Sequence, residues 1–170
     1  MPMFRSMAPT EIIFRFLESS VLPIKSPATN VENAVNNNSA CEITLTEDIT
    51  LSASTNSDNE ITIPEGKDVT LNLNNHTIRR NCSNNTTTSY RFFDVYGDFT
   101  LVDNSTAGNG KITGAYASRN NYAGIRVRST GVFTMKSGTI SNNAANRSNG
   151  GAVYIDGGKF IMEGDFIFKR

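Results

Sequence analysis

The sequence predicts an all-β solenoid of short stacked strands, and three observations carry that expectation. First, a motif is written twice, as G-I-R-V-R-S-T-G-V-F-T-M-K-S-G-T-I over residues 124–140 and A-V-Y-I-D-G-G-K-F-I-M-E-G-D-F over residues 152–166. Phe133 and Met135 recur 27 positions later (160 − 133) as Phe160 and Met162, and Gly138-Thr139-Ile140 recurs 26 positions later (164 − 138) as Gly164-Asp165-Phe166. A repeat of roughly 20–50 residues is the mark of a solenoid, whose units bury their apolar faces only by stacking. Second, apolar residues alternate in short bursts broken by glycine, which is strand rather than helix periodicity. Third, the copies align into columns of like apolar residues.

Residues 1–29 form an N-terminal extension outside the repeat. Ile12, Ile13, Phe16 and Leu17 fall at helical spacing, so a short amphipathic helix is expected over residues 10–19. The longest apolar run there, Ile12-Ile13-Phe14, is well short of the ~7–15 residues of a signal-peptide core. Pro23 and Pro27 read as a linker. Residues 30–41 are the expected cap and lead-in, with a short helix over N-V-E-N-A-V-N-N, Asn30 at its N-cap and Val31, Ala34 and Val35 on one face.

The solenoid is expected over residues 42–170, as about four coils of three short strands. Residues 42–51 supply two lead strands with Ile43, Leu45, Ile49 and Leu51 inward, and residues 52–60 read as a polar loop. Pro64-Glu65-Gly66-Lys67 is a turn. Alternation then assigns the inward columns. They are Ile61/Phe93/Ile125/Val153, Ile63/Val95/Val127/Ile155, Val69/Phe99/Phe133/Phe160, Leu71/Leu101/Met135/Met162 and Ile78/Ile112/Ile140/Phe166. At about 1.5–3 kcal/mol per fully buried large apolar side chain, these columns are the main expected source of stability. The long segments 79–91, 113–123 and 141–149 all follow a third strand, so they are expected to project as loops from one edge, the side on which repeat proteins often bind. Tyr90, Tyr116, Arg119, Tyr122 and Arg147 lie on these loops. The chain stops at Phe168-Lys169-Arg170, where no capping segment follows. The expectation is therefore a truncated solenoid whose open last coil self-associates.

Sixteen basic and sixteen acidic side chains cancel, so nothing in the charge points to nucleic acid or an anionic membrane. No apolar run approaches the roughly 20 residues of a membrane span. Two cysteines, Cys41 and Cys82, are compatible with one disulfide or with two separate thiols. They lack the spacing and partners of a metal site. Asn-x-Ser/Thr triplets such as Asn104-Ser105-Thr106 are expected by chance in so Asn-, Ser- and Thr-rich a chain.

The run Gly150, Gly151, Val153, Tyr154, Ile155, Gly157, Gly158, Phe160, Met162 and Gly164 resembles the Asn/Gly-rich repeats of bacterial surface and secreted proteins. Through them the chain resembles the right-handed parallel β-helix proteins of the pectin-lyase-like superfamily, from about residue 42 onward. The resemblance implies a right-handed parallel β-helix at the cell surface or outside the cell, and a saccharide groove along the outward face of the first strand.

That face carries two columns, Thr62/Asp94/Arg126/Tyr154 and Pro64/Tyr96/Arg128/Asp156. Asp94, Tyr96, Arg126, Arg128, Tyr154 and Asp156 are the candidate binding residues. Tyrosine offers a flat ring to a sugar, and arginine and aspartate offer directional hydrogen bonds. The same residues also form complementary vertical stacks, Asp94 over Arg126 over Tyr154 and Tyr96 over Arg128 over Asp156, so a purely bracing role stays open. Hydrolysis would ask for two carboxylates about 5–9.5 Å apart. Asp94 and Asp156 are two coils apart, near 10 Å at a strand spacing of ~4.8 Å. His76, in N-N-H-T-I, has no nucleophile beside it in the sequence. No catalytic residue, metal ligand or cofactor motif is assigned. Two function classes remain. One is a structural or adhesive solenoid segment of a bacterial surface or secreted protein, offering loops and one strand face to a polysaccharide or a surface protein. The other is a fragment of a polysaccharide lyase or glycoside hydrolase of the β-helix type.

Overall fold

In a computed structural model, residues 35–36, 40–51, 60–80, 91–118, 124–146 and 149–164 are described. They form a parallel β-solenoid of about three turns. A partial lead coil holds β1 (Ala40–Thr44) and β2 (Ile49–Leu51). The first full coil is β3 (Ile61–Ile63), β4 (Asp68–Asn72) and β5 (Thr77–Arg80). The second is β6 (Arg91–Val95), β7 (Asp98–Val102), β8 (Lys111–Thr113) and β9 (Tyr116–Ser118). The third is β10 (Gly124–Val127), β11 (Val132–Met135), β12 (Thr139–Ser141) and β13 (Ala144–Asn146), and β14 (Val153–Ile155) and β15 (Lys159–Met162) begin another. The fourth coil's expected third strand, with Phe166, lies outside the described residues, so three coils are complete where about four were expected.

Every sheet is parallel and runs in coil order: β3-β6-β10-β14, β1-β4-β7-β11-β15, β2-β5-β8-β12 and β9-β13. The inward columns stack in the register that alternation assigns. Phe99 pairs with Val69 and Phe133, Phe133 with Phe160, and Ile112 with Ile78 and Ile140. Ile61, Ile63, Val69, Leu71, Phe99, Leu101, Ile125, Val127 and Phe133 are all buried. Down the middle of the core runs an aromatic stack, with ring centroids 4.7 Å apart for Phe93 and Phe99, 5.3 Å for Phe99 and Phe133, and 5.0 Å for Phe133 and Phe160.

The expected lead strands are present, and Ile43, Leu45, Ile49 and Leu51 are buried. The first strand begins at Ala40, inside the expected lead-in, because Ala40 and Cys41 pair with Asp68 and Val69. Of the expected cap, Val35 and Asn36 are described and helical, with Val35 wholly buried in the core. The Lys67 ammonium donates to the Asn36 carbonyl at 3.3 Å. The rest of the cap and the helix expected over residues 10–19 lie outside the described residues.

The segments expected to be projecting loops differ in one respect. Arg79 and Arg80 complete β5, Arg91 opens β6, and residues 116–118 and 144–146 pair as a fourth strand wall, Tyr116 with Ala144 and Ala117 with Ala145. Tyr116 is therefore buried rather than displayed. Phe92, Ala115 and Ala117 are buried in the core, and the Arg80 guanidinium lies 5.5 Å from the Phe92 ring. The remaining loop residues named above, Tyr90, Arg119, Tyr122 and Arg147, lie outside the described residues.

Polar corners lock coil to coil. At the bend between the first and second sheets, Gly131 donates to the Arg128 carbonyl at 2.8 Å. A Cβ on Gly131 would meet the Val95 carbonyl oxygen at 2.2 Å, so only glycine fits. Beyond β7, the buried Asp103 carboxylate accepts from the Asn75 amide at 2.9 Å, the Ser105 hydroxyl at 2.7 Å, the Ser105 amide at 3.2 Å and the Gly110 amide at 2.6 Å. Ser137 of the next coil donates to the Asp103 carbonyl and accepts from its amide. Burial alone would raise the Asp103 carboxyl, but the donors from Ser105, Asn75 and Gly110 outweigh it and hold the group below the usual carboxylate range.

Candidate functional site

The first strand sheet presents the only extended charged face singled out by the sequence, and the sheet register assembles it. Arg126 pairs with Asp94 on one side and Tyr154 on the other, and Thr62 pairs with Asp94. One position further along, the amides of Tyr96, Arg128 and Asp156 donate to the carbonyls of Ile63, Val95 and Val127 at 2.8, 2.8 and 2.7 Å. All six sequence-predicted residues therefore share one face, in the two expected columns.

The side-chain hydrogen bonds of the two arginines run diagonally, from one column to the next, rather than straight up a column. Arg128 reaches diagonally to Asp94, with Nε to Oδ1 and a terminal nitrogen to Oδ2, both at 2.7 Å. Arg126 reaches the other way to Asp156, donating Nε at 3.0 Å and a terminal nitrogen to the same Oδ2. A guanidinium on a long stem spans neighbouring columns, and at Arg128 its planar fork meets both oxygens of the carboxylate there. The expected vertical stack holds in the second column, where Arg128 lies over the Tyr96 ring at 5.2 Å and its third nitrogen is 3.5 Å from Asp156. Hydrogen bonding to Asp94 raises the Arg128 guanidinium above its ordinary value, against the opposing effect of burial.

Two members of the face were not legible in the strand pattern. Arg91 donates to both oxygens of Glu60, one of these bonds at 2.8 Å, and lies 3.9 Å from Asp94. Burial lowers the Arg91 guanidinium, and the Glu60 hydrogen bond and charge more than restore it. A β-bulge explains the omission. Gly124 pairs with Arg91 but Ile125 pairs with Phe93, so β6 carries one extra residue. Phe92 and Phe93 both turn inward, and strict alternation misplaces Arg91. The signal available was the uninterrupted Phe92-Phe93 pair, which breaks the two-residue period.

The result is a lattice of six charges, Glu60–Arg91–Asp94–Arg128–Asp156–Arg126, linked end to end across the coils. Asp94 is 6% exposed at its centre, while the Asp156 side chain is 37% exposed at its rim. Tyr96 and Tyr154 are half-buried beside it. Such an arrangement can brace neighbouring coils and offer aromatic edges and hydroxyls to a flat ligand.

The other titratable groups lie elsewhere. His76 Nδ1 is 3.6 Å from Asp48, which also accepts from the Thr77 amide at 2.9 Å and from Arg79 at 2.6 Å. The Thr77 hydrogen bond is the main reason the Asp48 carboxyl sits low. Cys41 is a free buried thiol pushed up by desolvation, and Cys82 lies outside the described residues. Among the described residues no cluster of three or more His, Cys, Asp or Glu could hold a metal ion, and no helix is long and apolar enough to cross a membrane.

No family model, curated protein or solved structure matches the chain.

Proposed function

We propose that this chain is the solenoid part of a structural or adhesive protein of the pectin-lyase-like β-helix type, working at the cell surface or outside the cell. In this reading the first strand face of the coil stack meets a polysaccharide or a surface protein. The observation that carries this reading is the lattice itself. Asp94 and Asp156, the two carboxylates a glycosidase on this face would use, are each engaged by arginines, Asp94 by Arg128 and Asp156 by Arg126 and Arg128. Groups that hold one another stiffen a binding face, and the half-buried Tyr96 and Tyr154 beside them add aromatic surface to it.

The test is retention without turnover. The purified chain is passed over immobilised plant and microbial polysaccharides while the soluble fraction is assayed for new reducing ends and unsaturated products. Retention with no product supports the adhesive reading. Product that scales with protein would transfer the chain to the lyase or hydrolase class.

A further inference from the structure

We propose that the ligand of the first strand face is an uncharged, hydroxyl-rich glycan, and that the ion-pair lattice turns polyuronates away. The inference rests on the adhesive reading of that face and adds the chemical class of its ligand.

The charge count comes first. Glu60, Asp94 and Asp156 stand against Arg91, Arg126 and Arg128, three against three, so the face is neutral as a unit. The geometry goes further than the count. Arg91 spends two nitrogens on Glu60, Arg128 two on Asp94 and Arg126 two on Asp156. A uronate carboxylate needs the same planar fork that each carboxylate partner already occupies. To take it, Arg128 would turn from Asp94 and leave a carboxylate 6% exposed without its principal partner. The incoming charge would also approach Asp94 and Asp156, a like-charge juxtaposition that selects against such a ligand.

A neutral sugar requires no such exchange. Its hydroxyls can donate to Asp156, whose side chain is 37% exposed, and pair with the exposed Thr62. Its apolar ring face can lie against Tyr154 or the edge of Tyr96, residues two coils apart, ~9.5 Å at the usual strand spacing. Neutral glycan recognition thus uses the face as it stands.

Affinity electrophoresis tests this with the full chain, in gels cast with a β-glucan, a xylan or a mannan, or with polygalacturonate. The native protein is expected to be retarded by at least one neutral polymer and to migrate unretarded in polygalacturonate. Glu60→Gln/Asp156→Asn places two net positive charges on the face and is expected to gain polygalacturonate retardation by tenfold or more at low salt. Tyr154→Ala is expected to lose tenfold in neutral-polymer affinity. Each variant's melting curve shows that it is folded. Native protein retarded more by polygalacturonate than by any neutral polymer would overturn the ligand class and leave the adhesive reading intact. Native protein retarded by none would remove the adhesive reading of this face, and the ligand class with it.

Discussion

Arg128 and Asp94, one coil apart and in different columns of the charged face, are joined by a fork of two 2.7 Å hydrogen bonds. Asp94 is 6% exposed, so removing its partner strands a buried charge. Arg128→Ala is expected to cost about 3 kcal/mol. Arg126→Ala, whose partner Asp156 has a side chain 37% exposed, is expected to cost no more than about 1 kcal/mol. A double-mutant cycle in urea checks it: Asp94→Asn should couple strongly to Arg128→Gln and weakly to Arg126→Gln. Strong coupling to Arg126 instead would restore the vertical pairing.

Phe133 sits in the aromatic stack, 5.3 Å from Phe99 and 5.0 Å from Phe160, with no exposed surface. Phe133→Asp buries an unpaired charge between two rings and is expected to abolish folding. Phe133→Leu is expected to fold at a cost on the order of 1 kcal/mol. Circular dichroism melts separate the two, and equal melting temperatures in both variants and the parent would refute the inward assignment.

Asp103 makes stability acid-sensitive. Its folded carboxyl lies below the ordinary value, so its contribution is fully present above the unfolded value of about 4 and is lost as pH falls through the folded value. Urea melts from pH 7 downward should show stability falling below about pH 4. Asp103→Asn should be less stable at pH 7 and should lose part of that acid slope. An unchanged slope would place the acid response on other carboxylates, Asp48 first.

The inward columns could be read from the sequence because the core repeats one residue type per position and the strand period is two. Phe133 over Phe99 and Ile112 over Ile78 follow from the strand pattern once the loops between copies are allowed to vary in length. The two outward columns followed for the same reason. The diagonal hydrogen bonds between the columns did not, because an arginine stem reaches the next column and its partner there depends on the fork rather than on the register. Arg91 escaped through the bulge at Phe92, and Glu60 because residues 52–60 read as a polar loop. The fourth wall was hidden because small polar and alanine-rich strands look like loops. A trace of it was present, since Tyr116 and Ala117 meet Ala144 and Ala145 at a constant offset of 28 residues (144 − 116), the same step as Gly110 to Gly138 (138 − 110).

The central claim is a division of labour on one face, with arginines bracing the coils and tyrosines meeting the ligand. The most direct measurement takes Arg128→Ala and Tyr154→Ala through the same two readouts, melting temperature and affinity for the neutral glycan that best retains the native chain. The account predicts that Arg128→Ala lowers the melting temperature by several degrees, as about 3 kcal/mol implies for a domain of this size. It predicts that Tyr154→Ala leaves the melting temperature within a degree or two and cuts affinity tenfold or more, the loss of a stacking plane. Glycan affinity unchanged in Tyr154→Ala would contradict it, as would an unmoved melting temperature in Arg128→Ala.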